Sequence, residues 1–234
     1  MSLASHIVVT IRRKVRRFVA NTDGIAAIEF ALIAPVMLLF YFGLAEVSLL
    51  ISADRKTSHA ASLIGDLAAQ DTTLDLATGQ DLMGAVLAVL GTNPEQSSRI
   101  GVELYSFEAV MADTDGDGDE ERDVQEIGFL TFGPAYEPGA AGAEDGRYDG
   151  NNVEERLLVA GGGVVVARVV YEYQSPYRYF VREPRLREVF LLKPRRSATV
   201  TFENGNLGGT DKSRREISCT LTSTNPNTVD CQPL

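Results

Sequence analysis

The sequence contains no tryptophan, and only two cysteines and two histidines occur among its 234 residues. Both histidines, His6 and His59, precede the strand-forming part of the chain, which excludes histidine-based acid–base chemistry there. The two thiols supply half of a zinc site, and no histidine lies near them in sequence. No Gly-x-Ser-x-Gly nucleophile motif is present. The triplet Gly161-Gly162-Gly163 lacks the Lys-Ser/Thr of a phosphate loop, and no helical pattern follows it. Basic charge is also scarce. The net charge is −10; the first 24 residues hold five Arg/Lys and one Asp (+4), which leaves −14 on the remainder. That balance excludes a nucleic-acid partner, which requires a basic face. It suits a soluble, self-repelling ectodomain. There is no internal repeat, and the length allows one or two domains.

What the chain does have is one long apolar run. It follows a basic cluster (Arg12, Arg13, Lys14, Arg16, Arg17) and extends from Ile25 to Ile51. About 20 apolar residues span a bilayer as a helix at about 1.5 Å per residue. The positive-inside rule keeps the basic cluster cytoplasmic and puts the C-terminal bulk on the far side of the membrane. A secretory signal peptide has a shorter apolar core followed by a small-residue cleavage site. Here the small residue, Gly24, comes first, so cleavage after it leaves the helix on the mature protein. The expected organisation is a leader at 1–24, a transmembrane helix at 25–51 and a head at 52–234.

Glu29 is a carboxylate inside this otherwise lipid-compatible segment, and a charge at membrane depth costs about 3 kcal/mol or more. It lies five residues after Gly24. A cut after Gly24 gives Ile25 a free ammonium one helical turn from Glu29. Among parallel helices, the acid of one subunit then meets the ammonium of its neighbour. The competing reading is a lone acid solvated by headgroups. Pro35 removes one backbone donor and kinks the helix without ending it. Glu46 reads as a snorkelling residue at the distal interface.

Ala60, Leu63, Ile64, Leu67 and Ala68 continue an amphipathic pattern beyond the membrane, which predicts one helix over 25–70. Asp71–Thr73 reads as its break. A second helix is predicted near 80–90, with Gly91 as its stop. Ile100, Val102 and Leu104 alternate with Gly101, Glu103 and Tyr105, as in a half-buried strand. Further strands are predicted at 124–132, 164–173 and, as the last, 198–202, with Asn204-Gly205 as a turn. Residues 133–156 read as a mobile loop. The fold class expected is α+β: a long N-terminal helix and a short second helix on a small antiparallel sheet. The basic, aromatic stretch 177–196 reads as a surface element, able to meet anionic headgroups or acidic neighbours.

Two further features bear on ligands. Asp113, Asp115, Asp117, Gly118, Asp119 and Glu121 match the opening of an EF-hand-like calcium loop. The closing glutamate is missing, because Val124 stands at position twelve. Calcium binding and a solvated acidic hairpin tip are the two readings. Cys219 and Cys231 are predicted to form a disulfide closing a short tail loop, given export from the reducing cytosol.

Residues 17–51 resemble the N-terminus of the TadE/TadG-like pseudopilins of the Flp (tight adherence) pilus system. The resemblance rests on the basic leader, on Gly24, on the Glu29-Phe30 pair and on Ala31, Leu32, Ala34 and Pro35. Gly43 to Glu46 also fit, and residues 59–70 and the Tyr171-x-Tyr173 strand end are more loosely similar. The acidic insertion at 113–123 and the lack of tryptophan depart from the family pattern. The resemblance implies a non-enzymatic minor pilin or assembly factor, cleaved after Gly24 by a prepilin peptidase. Ile25 is then the mature N-terminus, Glu29 the charge partner, and Phe30 and Pro35 part of the processing and packing motif. Its implied partners are other pilins and pseudopilins, the Tad inner-membrane platform and membrane lipid. The alternative reading is an unprocessed, signal-anchored periplasmic binding domain that uses calcium. A membrane-anchored hydrolase using the acidic residues has least in its favour, because no paired carboxylates form a recognisable site.

Overall fold

The structure, a computed structural model, describes residues 24–90, 98–113, 119–133, 148–154, 156–177, 180–203, 216–222 and 229–233. The chain divides into two units, Met1–Ser48 and Leu49–Leu234. Helix α1, Ile25–Gln70, contributes to both. It is one unbroken helix through Pro35, because the missing hydrogen bond costs a single turn partner while the flanking Ala, Leu and Met residues favour helix.

In the second unit the elements after α1 are β1 (Thr73–Asp75), α2 (Leu76–Leu90), β2 (Ile100–Ala112), β3 (Glu121–Phe132), a 3-10 turn at Gly150–Asn152, β4 (Gly163–Glu172), β5 (Arg185–Leu192), β6 (Thr201–Glu203), β7 (Glu216–Leu221) and β8 (Val229–Pro233). Six strands form one sheet in the order β5-β4-β2-β3-β7-β8. Its pairs are antiparallel except β3–β7, which is parallel. β1 and β6 form a separate parallel pair. The mixed α+β class is as the sequence indicates. The differences lie in the tail: 198–202 is not the last strand, since β6 covers Thr201–Glu203 and β7 and β8 follow. Gly91 and the Asn204-Gly205 turn lie outside the described residues.

One sheet face is covered by helices. Ala60, Ala61, Ile64 and Ala68 of α1 and Leu82, Met83, Val86, Leu87 and Leu90 of α2 are buried there with Ile100, Val102, Leu104, Leu130, Phe132, Val165, Ala167 and Val169. The small residues on α1 let its backbone approach closely. A side chain at Gly65 would run into Leu192 and sit 3.2 Å from the Ala167 methyl group. Gly65 therefore weakens the helix locally and fits it to the sheet. Asp75 caps α2: its Oδ1 accepts the Thr78 backbone N–H at 2.8 Å. The break at Asp71–Thr73 thus resolves into β1 followed by a cap two residues later than expected.

The opposite face is not open to solvent, as simple alternation in β2 had suggested. Tyr105, Phe107, Ala109, Phe129, Val164 and Val166 are buried with Val153 and Leu158. Residues 148–158 supply this cover where described, and all but Leu157 and Leu158 fall in the stretch 133–156 expected to be a mobile loop. A bulge adjusts the register: Ser106 faces Gly128 but Phe107 faces Glu126, leaving Ile127 extra. The shift turns Val124 to the side of Phe129, where it packs on the second core.

A polar chain runs through this second core. Glu103 and Arg168 are cross-strand partners, with Nε–Oε2 at 3.3 Å and both side chains under a tenth exposed. Tyr105 donates its O–H to Glu103 at 2.9 Å, and the Tyr148 backbone N–H donates to the Tyr105 oxygen at 2.9 Å. Burial, and secondarily the Glu103 charge, push the Tyr105 phenol far above its usual value of 10, so it stays a donor. The network ties the covering segment to the sheet.

Two expectations follow. Arg168→Met strands the Glu103 charge and should cost about 3–5 kcal/mol in urea unfolding of the purified chain, while Arg168→Met with Glu103→Leu should recover most of it. Asp75→Ala should cost about 1 kcal/mol. The hydrogen bond from Thr78 holds the Asp75 carboxyl below its ordinary 3.8, so the cap's contribution is complete above that pH and is lost as pH falls through the depressed value. Stability curves of wild type and variant should therefore converge in strong acid.

Candidate processing and assembly site

The site is built on the first two turns of α1. Gly24 precedes the helix, and the Ile28 N–H reaches the Gly24 carbonyl at 3.1 Å, the first helical bond. Cleavage after Gly24 would remove that one acceptor and leave the remaining helix intact. A side chain built at Gly24 would meet nothing within 4 Å, and its backbone is not among the left-handed glycines. Nothing among the described residues therefore demands glycine there. Ile25 (50 % exposed), Phe30 (72 % exposed) and Glu29 are all exposed. The structure places Glu29 four residues after Ile25 on a continuous helix, so one turn separates its carboxylate from the amine that cleavage would create.

From Ile25 to Leu44, large apolar side chains are exposed around the whole helix. The most apolar 18-residue window of α1 has a mean hydropathy of 2.2 and none of it is buried. Full burial of each Leu, Ile or Phe is worth about 1.5–3 kcal/mol, so this surface calls for an apolar environment. The arrangement is compatible with a single-pass membrane anchor. Glu46 differs from expectation: it is fully buried rather than snorkelling at an interface. Within the second unit, Leu50, Ala53, Thr57, Ala60 and Ile64 fall three or four residues apart on one stripe of α1.

The other sequence-singled residues are elsewhere. Asp113, Asp119 and Glu121 flank the β2–β3 turn, while Asp115 and Asp117 lie outside the described residues. Among the described residues no three His, Cys, Asp or Glu side chains come together in a manner that would hold a metal. Cys219 and Cys231 are joined as a disulfide across the β7–β8 pair. Both are buried beneath α2, where a side chain at Gly79 would lie 3.7 Å from the Cys219 Sγ and 3.5 Å from the Cys231 Sγ. The Glu103–Tyr105–Arg168 network was missed in the sequence. The signal that existed was a Glu and an Arg placed within otherwise apolar strands.

No curated protein and no solved structure matches the chain. Residues 24–63 match the model of the TadE-like protein family. That match identifies the segment from Gly24 into the packed half of α1 as TadE-like, and supports in general terms a minor-pilin role tied to the Tad pilus.

Proposed function

We propose that this chain is a prepilin-like structural subunit, cut after Gly24 and assembled through its N-terminal helix into the Tad pilus machinery. Residues 1–24 then act as the leader, 25–51 as the membrane span and 52–234 as a periplasmic head. The observation that carries the reading is the pairing of an exposed apolar helix with Glu29 one turn from Ile25. Before cleavage Glu29 has no partner generated by the helix itself. After cleavage the Ile25 ammonium of a neighbouring subunit meets it, and both charges leave the hydrocarbon as a pair. Because an unpaired charge at that depth costs about 3 kcal/mol or more, the pairing favours one axial register between parallel helices.

The disulfide supports export, since such bonds persist outside the reducing cytosol. The absence of any fold-imposed need for glycine at 24 supports a demand made by the peptidase. Prepilin peptidase, fellow pilins and the inner-membrane platform are the partners of this reading.

Mass and N-terminal sequence of the protein from peptidase-positive cells decide the first step. A start at Ile25 is expected; retention of Met1 to Gly24 sinks the proposal. Gly24→Val should leave the unfolding midpoint unchanged and block maturation. Glu29→Ala should preserve membrane insertion and weaken co-isolation with neighbouring pilins. Unchanged co-isolation would remove the charge-pairing step while leaving processing standing.

A further inference from the structure

The second unit is electrically lopsided along its strands. Of the net −10, residues 1–24 contribute +4 and Glu29 with Glu46 contribute −2, so residues 49–234 carry −12. The acids concentrate at one end. β4 pairing with β2 stops at Glu108–Gly163, and beyond it Val110, Met111 and Ala112 pair only with Asp123, Arg122 and Glu121. This projecting ribbon ends at Asp113 on one strand and Asp119 and Glu120 on the other.

The opposite end is different. There Ile100 pairs with Tyr171, and Glu172 with Arg185. The twelve residue steps of β2 put the two ends about 40 Å apart at about 3.3 Å per residue. This far end carries Arg182, Arg185 and Arg187, all exposed, with Arg99 beside Ile100. Glu172, which pairs with Arg185 at 2.7 Å, and the exposed Glu183 temper the charge, but Arg99, Arg182, Arg185 and Arg187 outnumber these two acids and leave the end basic within an acidic unit. Two aromatic rings project from the same β4–β5 connection: Tyr177 is 43 % exposed and Phe180 47 % exposed. Exposed aromatics beside arginines are costly in water and are the composition that settles at a bilayer interface.

The path of α1 fixes which pole meets the incoming chain. Gly65 lies against Ala167, midway along β4, and Leu192, the last residue of β5, and one turn further on Ala69 accepts the N–H of Arg195, beyond the ribbon-side end of β5. Running back from Gly65 to Leu49 covers about 24 Å of helix at 1.5 Å per residue. The six steps from Ala167 to Tyr173 cover about 20 Å of strand. The chain thus enters this unit at the aromatic, basic end, where the exposed Arg55 and Lys56 lie on α1.

We propose that this end, built on Tyr177, Phe180, Arg182, Arg185 and Arg187, is a docking surface for anionic lipid headgroups of the membrane that holds the chain's own helix. The inference rests on the anchoring part of the function proposed above. The rings insert at headgroup level, the arginines meet phosphate oxygens, and the acidic ribbon is repelled from the same surface. Docking therefore sets the orientation of the unit as well as its location, with the ribbon turned toward the space where neighbouring subunits arrive.

The test uses the full chain reconstituted into vesicles, either of phosphatidylcholine alone or with phosphatidylglycerol added. A fluorophore is attached at Phe180→Cys, or for comparison at Glu120→Cys, and spin-labelled headgroups serve as quenchers. Quenching at position 180 is expected in the anionic vesicles. It should be lost in phosphatidylcholine, in high salt, and in the charge-reversed variant Arg182→Glu/Arg185→Glu/Arg187→Glu. Position 120 should stay unquenched throughout. No quenching at 180 in anionic vesicles, equal quenching in the charge-reversed variant, or energy transfer between copies labelled at 180 would overturn the docking. Alkaline extraction of the same vesicles reads the anchor separately: retention with no quenching sinks the docking alone, and release sinks both.

Discussion

The structure depends on one constraint, the apolar surface of α1 that the chain itself does not cover. A helix that is apolar all round must be buried by protein or lipid. Here the first half exposes Phe, Leu, Ile and Met side chains on every side, whereas the second half buries only one stripe. The two halves share a backbone and obey different solvents. The second half shows what a water-facing environment selects: Ala60, Ala61, Gly65, Ala68 and Ala69 are small and face inward, and Asp54, Arg55 and Lys56 face out. No corresponding segregation exists before Leu44.

That division explains how much could be read from the sequence. α1 was legible because hydrophobicity and period are both local, and both run for many turns. β2 and β4 were legible from their apolar content. β7 and β8 were not, because Glu216–Leu221 and Val229–Pro233 are short and mostly polar, and only the alternation of Ile217, Cys219 and Leu221 marks a buried face. The parallel pairing of β7 with β3 is set by tertiary packing, with Ile217 and Cys219 under α2, and no local signal specifies it.

The second core was missed for a related reason. Alternation in β2 placed Glu103 and Tyr105 on the side away from Val102 and Leu104, and that assignment of faces is correct. It carries no information on whether something covers the second face. The cover comes from residues 148–158, whose composition reads as loop, and it is held by a hydrogen bond from a backbone N–H. The candidate site divides in the same way. Gly24, Glu29 and Pro35 form a local motif that a sequence displays directly, while the basic pole opposite the ribbon needs the sheet register to assemble residues as distant as Arg99 and Arg187.

In the function proposed above, processing, anchoring and assembly are physically linked through Glu29. A carboxylate in hydrocarbon is tolerated only when something offsets it, and the ammonium that does so is absent from the uncut chain. On the proposed reading the cut would act as a switch between two states of one helix. Uncut, the chain would offer no amine at the depth of Glu29. Cut, its new N-terminus would be a short-range charge that another subunit's acid satisfies best. The apolar stripe supplies attraction without register, and the charge pair supplies register with little net attraction. An assembly needs both terms, which accounts for an expensive acid being placed where an all-apolar helix would insert more easily.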